Sequence, residues 1–287
     1  MVGPRAHTPT LDEVVNQVAD LRPLSAVVAR ILQITEDDRF SAQELAQVIA
    51  ADQALTAKML RLSNSAYYGF PRRITTVRDA VVLLGFRAVR SATLASCVIE
   101  AMEGAEVLDY RDFWHFSVTV GMLAEVLARA GKAHRDEAFT AGVMHNVGRL
   151  ALDQQLPDAL RESLAYAKAH DVSLHEAERQ VIGFGDDELG GALTLHWNFP
   201  EPLIEAVASH TLRPEQLPNP ESLAAYVVRA RLFARSYGLP DGVEQTRRVD
   251  PPIEWTTPPL ATSLRQYGGF DGVLDRVDAF LESALTR

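Results

Sequence analysis

Thiols are nearly absent, with Cys97 the single cysteine of 287 residues. This excludes an intramolecular disulfide framework and a multi-cysteine zinc knuckle, and it fits a reducing compartment. Cys97 sits in Ala92-Thr-Leu-Ala-Ser-Cys-Val-Ile, surroundings that suit an inert core thiol better than an activated nucleophile. No apolar run reaches the ~18 residues that span a bilayer, so no membrane segment is expected. The stretch from Met1 to Pro9 lacks the apolar core of a secretory signal, and the expectation is a cytoplasmic protein. Also missing are a Gly-rich phosphate loop of either common type, a Gly-x-Ser-x-Gly elbow and a zinc-helix motif. No internal repeat or low-complexity segment stands out. No long Val/Ile/Thr alternation bounded by turn residues announces a sheet.

What is present is an ordinary globular composition, 47% apolar and 23% charged, on a chain long enough for one large domain or two modest ones. The apolar spacing is helical almost throughout, which predicts an all-α protein. Thr10-Leu-Asp-Glu13 and Ser41-Ala-Gln-Glu44 have the form in which side chains at a helix start satisfy each other's exposed backbone N–H groups. From the first, Leu11, Val14, Val15 and Val18 share a stripe. After Pro23, Ser25 can open a helix carrying Val27, Val28, Ile31, Leu32 and Ile34. Ser41 launches Leu45, Val48 and Ile49, and Asp52 caps a helix with Leu55, Met59, Leu60 and Leu62. A long helix is expected from about Val77 through Met102, with Gly85 a potential break. Further helices are expected near 111–130, 136–147, 157–170, 173–183, 187–196, 201–210, 221–237 and 270–285. The polar Glu103-Gly-Ala-Glu106 marks a lobe boundary. The division read from this pattern is 1–104, 105–238 and a Pro-rich C-terminal segment with a final helix, 239–287. Trp197 reads as a core anchor, and Trp255, between two Pro pairs, as a plug holding that C-terminal segment down.

Ala141-Gly-Val-Met-His145-Asn146-Val-Gly presents a histidine and an amide at an apolar helix end. Alone, such a histidine is more often a hydrogen-bonded core residue than a ligand. Phe113-Trp-His115-Phe116 lies thirty residues earlier, and His210 and Arg231 follow on helices of their own. From roughly Leu21 to Ser236 the chain resembles the HDOD family of bacterial signalling proteins, whose name stands for an HD-related output domain. The strings that carry the likeness are Leu24-Ser-Ala-Val-Val-Ala-Arg-Ile-Leu, Arg61-Leu-Ser-Asn-Ser-Ala-Tyr-Tyr-Gly and Asp79-Ala-Val-Val-Leu-Leu-Gly-Phe-Arg. They continue with Phe113-Trp, Ala138-Phe-Thr-Ala-Gly-Val-Met-His145, and Glu188-Leu-Gly-Gly followed by Trp197-Asn-Phe-Pro. Each is weak singly, but their order and spacing are specific. The resemblance implies an N-terminal helical bundle packed on a lobe related to the HD metal-dependent phosphohydrolases.

Those hydrolases hold a divalent metal with a histidine, a His-Asp pair and a distal aspartate, because the ion lowers the pKa of bound water and offsets phosphoryl charge. Carried over residue by residue, the first ligand falls on Phe116, which cannot coordinate; His115 is one residue off and turned by about a hundred degrees on a helix. The pair is His145 with Asn146 in place of the aspartate, and the distal aspartate is Arg231. A guanidinium ~5 Å from a divalent ion repels it by roughly 6–7 kcal/mol at an effective dielectric of 20. The expectation is therefore a structural His145, no cofactor and no catalysis. A regrouping of His115, His145 and His210 into a different site stays open.

The second constellation is electrostatic. Lys58, Arg61, Arg72, Arg73, Arg78, Arg87 and Arg90 face the single acid Asp79, so this stretch is +6 inside a chain of −10. With Tyr67, Tyr68 and Phe70 among them, this is the composition of phosphate clamps and stacking platforms. Arginines on helices equally often cap carbonyls, pair with acids or lie over apolar surface, and the aromatic run equally reads as cover at a helix end. Three functions follow. The first is a non-catalytic signalling module that binds a partner protein or a small anionic ligand. The others are a phosphohydrolase acting on a nucleotide, and nucleic-acid binding through Lys58–Arg90, which the overall charge opposes for any whole-surface mode.

Overall fold

Thr10 and Glu13 open the first helix by reciprocal capping: the Glu13 carboxylate accepts from the Thr10 N–H at 2.8 Å, and the Thr10 hydroxyl accepts from the Glu13 N–H at 3.3 Å. The computed structural model of the chain describes residues 9–21, 26–34, 41–131, 135–243 and 248–285. Among these, every regular element is helical. The first hundred residues form α1 (Leu11–Leu21), α2 (Ala26–Gln33), α3 (Ser41–Ala50), α4 (Gln53–Ser63), α5 (Val77–Leu84) and α6 (Phe86–Ala101). Asp52 caps α4, its Oδ1 accepting from the Leu55 N–H at 2.9 Å. The Ser25 start of α2 lies outside the described residues.

The long helix expected over Val77 to Met102 breaks at Gly85, the position read as its potential break, into α5 and α6, bent by 120°. Gly85 has φ +96°, a conformation open to glycine and strained for other residues. The rest of the chain forms α7 (Tyr110–Gly131), α8 (Arg135–Met144), α9 (Val147–Gln155), α10 (Pro157–His170), α11 (Leu174–Val181), α12 (Asp186–His196), α13 (Glu201–Ala208), α14 (Leu223–Ser236), α15 (Leu260–Gln266) and α16 (Gly269–Leu285). The helix expected to run to residue 147 stops at Met144, and a separate α9 starts at Val147, so His145 and Asn146 occupy a corner. The helix α15 was not foreseen.

Glycines set the closest approaches. A Cβ on Gly142 of α8 would lie 2.4 Å from the Gly121 Cα of α7, so these helices cross backbone to backbone. A Cβ on Gly148 would lie 1.9 Å from the Asp186 carbonyl oxygen, which brings α9 equally close to α12. The non-helical stretch after α6 is fastened by the buried Asp153 of α9, whose carboxylate accepts from the N–H groups of Glu106 and Val107 at 2.6 Å each and of Leu108 at 3.2 Å. The core runs without interruption from α1 to α16. Helix α1 packs on α9 and α12, beyond the boundary read at Glu103, and α16 packs on α4, α6 and α7. Trp255 is buried and stacks on Phe233 of α14 at 4.1 Å, and Trp197 is buried in the core.

Gly142→Ala should therefore force α7 and α8 apart and destabilise the protein by about 1–3 kcal/mol or more, the range of overpacked cores. A thermal melt of the variant checks this, and an unchanged midpoint would contradict the close crossing.

Candidate functional site

The corner after α8 delivers His145 and Asn146 into the interior, where both are at most 1% exposed. The same place receives Phe116 from α7, whose ring centroid is 5.9 Å from that of His145, and His210 from the end of α13, at 5.2 Å. Each imidazole donates its Nδ1–H to a backbone carbonyl three residues back, His145 to Gly142 at 2.6 Å and His210 to Val207 at 2.7 Å. On the neutral His145 ring Nε2 is therefore an acceptor, and neither Nε2 has a hydrogen-bond partner among the described residues. The Asn146 amide is likewise buried with no partner on either atom.

Charge converges on this spot. Arg149, one turn after the corner and 2% exposed, brings Nη2 to 2.9 Å from Oδ2 of Asp186, the first residue of α12. Its Nε lies 3.6 Å from Glu178 of α11 and its Nη1 3.8 Å from Asp241. Asp241 also takes Arg235 of α14 at 3.3 Å. The Asp186 N–H donates to the Glu178 carboxyl at 3.0 Å, and His210 Nε2 stands 3.4 Å from Asp186 Oδ2.

Arg231 of α14 is partly buried, and burial, then Arg235 and Arg149, lowers its guanidinium to about 10. Burial, then His210 and Arg231, holds the His145 imidazole well below its ordinary value, so the ring is neutral. Burial opposes ionisation of Asp186, but Arg149 and then His210 outweigh it and keep this carboxyl well below its usual range. Glu178 goes the other way: burial, then the Asp186 carboxylate, pushes it well above.

These residues do not fit the divalent ion that an HD-type lobe implies. A phenyl ring stands at one ligand position, an amide at another and a guanidinium at the third. The buried carboxylate beside His210 already has Arg149 seated on it. Among the described residues no three His, Cys, Asp or Glu side chains are arranged to hold a metal. The regrouping of three histidines is corrected as well. His145 and His210 meet, but His115 lies apart, 3.7 Å from Asp278 of α16, with burial lowering its pKa. Sequence reasoning located Phe116, His145, Asn146 and Arg231 but missed Arg149, Glu178, Asp186, Arg235 and Asp241. A charge inside the apolar run Val147-Gly-Arg-Leu-Ala-Leu was the available signal.

The basic segment does not form one face. Lys58 is largely buried and paired with Glu100 at 2.7 Å, and Arg90 donates to the Ile31 and Leu32 carbonyls at the end of α2. Arg72, Arg73 and Arg78 are exposed. Arg61 and Arg87 are exposed too, and they line different grooves. Tyr67 is half-buried against Phe139 and Phe280, with its ring edge on Tyr68. Burial pushes the Cys97 thiol up to about 12, which leaves it protonated and inert. No single helix among the described residues is long and apolar enough to cross a membrane.

Comparison with known proteins agrees with this architecture. Residues 21–212 match the family model of the HDOD domain. A solved HDOD domain protein of unknown function from Geobacter sulfurreducens is 23% identical, with 96% of each chain covered and a TM-score of 0.70. A Shewanella amazonensis SB2B structure described as a candidate phosphohydrolase is 24% identical over 95% of each chain, TM-score 0.68. A Marinobacter aquaeolei VT8 structure described as a candidate signal transduction protein is 19% identical, covering 99% of this chain and 62% of its own, TM-score 0.68. At these identities the likeness shows the fold. An uncharacterized Treponema pallidum (strain Nichols) protein is 22% identical over 224 residues, 77% of this chain, and the match spans 44% of that protein's length.

Arg149→Met should destabilise the protein by about 3–5 kcal/mol, because it strands Asp186 without its cation. Adding Asp186→Asn should recover part of that loss in a denaturant titration; a double variant weaker than the sum of both singles would contradict the pairing. The raised Glu178 pKa gives a pH dependence of definite sign. The folded state binds this proton more tightly than the unfolded chain, so the contribution is fully present below the unfolded value and is lost as pH rises through the folded one. Asp186 acts oppositely, losing its contribution as pH falls below the ordinary carboxylate range. Glu178→Gln should flatten the alkaline-side decline of melting temperature against pH, and an unaltered slope would count against a protonated Glu178.

Proposed function

The chain belongs to the HDOD family, and we propose that within it this protein is a non-catalytic signalling module that works by binding a partner protein or a small anionic ligand. The observation that carries this reading is the Arg149 guanidinium 2.9 Å from Asp186. Metal-assisted hydrolysis needs a cation with open coordination positions to acidify water and take up phosphoryl charge. Here the cation is a side chain, fully protonated and with no ligand position to offer. His145 is neutral and its Nδ1–H is spent on a carbonyl, which suits a structural role in the former centre.

A module of this kind acts by linkage. A ligand that favours one arrangement of the helices joined through α16 and α7 alters affinity for a second partner by the same factor that the partner alters its own. The phosphohydrolase reading draws on the unpaired Nε2 atoms of His145 and His210, which share one interior space. It lacks the charge that would activate water there. Binding of nucleic acid through Lys58–Arg90 is weakened by the dispersal of those side chains, two of which are committed internally.

The purified protein should carry no stoichiometric divalent metal and should not hydrolyse cyclic dinucleotides, nucleoside phosphates or generic phosphodiesters. Elemental analysis alongside a turnover assay with and without chelator measures both. Metal near one equivalent per chain, or turnover that chelator abolishes and His145→Ala removes, would overturn the proposal.

A further inference from the structure

A groove of about 530 Å³ opens where four parts of the chain meet, and its lining includes none of the residues of the His145 cluster. The turn after α4 contributes Tyr67, Tyr68 and Phe70, the Gly85 bend contributes Phe86 and Arg87, and α7 contributes Glu125 and Arg129. The fourth wall, Tyr267 and Arg276, comes from the C-terminal segment, beyond the 21–212 span that matches the family model. The groove thus draws on residues from both sides of that span's end. Its size falls within the range that holds small organic ligands and cofactors.

Its chemistry is distinctive. Three guanidinium groups line it, Arg87, Arg129 and Arg276, against one carboxylate, Glu125. Glu125 is already engaged, accepting from Arg129 at 3.2 Å and from the Tyr267 hydroxyl at 3.0 Å. Arg129 and Arg276 both stand over the Tyr267 ring, at 5.2 and 4.8 Å from its centroid. Gathering two like charges on one aromatic ring costs repulsion, which the Glu125 carboxylate paired with Arg129 offsets in part. The Nε–H of Arg129 is buried and finds no acceptor among the described residues, an unused donor within them. Phe70 and Leu83, 40% and 48% exposed, supply apolar rim. Convergent guanidinium groups recognise phosphate oxygens in a planar fork geometry, and exposed aromatic faces beside them stack on a flat ring.

We propose that this groove binds a nucleoside phosphate, its phosphate oxygens held by Arg129, Arg276 and Arg87 and its base laid against the tyrosine and phenylalanine rings. A concave site of this volume suits a small molecule better than a protein surface, and an excess of two positive charges inside a chain of net −10 selects for an anion. The site rests on the reading of the chain as a binding module. It is separate from the His145 cluster, so turnover there would overturn that reading and leave this binding measurement intact.

The test is calorimetric titration of the full chain with ADP and GDP, with adenosine, guanosine and pyrophosphate as separate arms. ADP or GDP should bind at one site per chain with Kd below about 1 mM, weaken as salt rises, and exceed both the bare nucleoside and pyrophosphate in affinity. Arg129→Gln/Arg276→Gln should weaken binding at least tenfold, and so should Arg87→Gln, with melting curves showing that the variants remain folded. Absence of binding by both nucleotides at millimolar concentration would overturn the proposal, as would unchanged affinity in folded variants. Equal binding of pyrophosphate would remove the role given to the base. An acidic peptide that binds where neither nucleotide does would assign the groove to a protein instead.

Discussion

Everything at the centre of this protein turns on one contact, the Arg149 guanidinium against the Asp186 carboxylate, buried at the meeting of α9 and α12. Removing a full charge from water is costly, and only close opposite charge with further hydrogen bonds compensates for it. The close approach of α9 to α12, possible because position 148 has no side chain, brings the two charges together. Glu178, Asp241 and Arg235 then complete a network in which acids and guanidinium groups alternate. The interior of an HD-type lobe needs positive charge at this depth to be stable around its carboxylates. In this chain arginines provide it from within the sequence.

That substitution has a chemical consequence beyond stability. A metal ion can exchange a water for a substrate oxygen, whereas the Arg149 guanidinium, set beside Asp186, Glu178 and Asp241, has no coordination position to exchange. The two histidines that remain, each tied by Nδ1 to the last turn of its own helix, are orientation without reagent. The helical architecture of the family is thus retained around a centre where guanidinium groups and carboxylates meet. The C-terminal segment matters here, because α16 lies against α4, α6 and α7, and the segment adds Tyr267 and Arg276 to a basic, aromatic-walled groove.

The helical fold was legible in the sequence because its signals are local. Thr10 with Glu13 and Asp52 with the Leu55 N–H lie three residues apart, and the buried stripe of Val14, Val15 and Val18 follows directly from the helical period. The break at Gly85 and the corner at His145 were harder, since the chain turns there through backbone geometry that apolar spacing does not encode. At the centre, Phe116, Asn146 and Arg231 could be located by position within family strings. Arg149 could not, because its role depends on Asp186 and Glu178 arriving from α12 and α11, thirty or so residues away. The basic run between Lys58 and Arg90 misled in the opposite sense. It is contiguous in sequence, yet in the fold Lys58 pairs with Glu100, Arg90 caps α2, and Arg87 joins residues of α7 and α16.

Diffraction shows whether a side-chain cation occupies the role a metal has elsewhere. Crystals grown in millimolar manganese, with data collected at the metal's absorption edge, should show no anomalous peak among His145, His210 and Asp186, and continuous density should join Arg149 to Asp186. A peak within about 2.1 Å of the His145 or His210 Nε2, with Arg149 swung away, would contradict it.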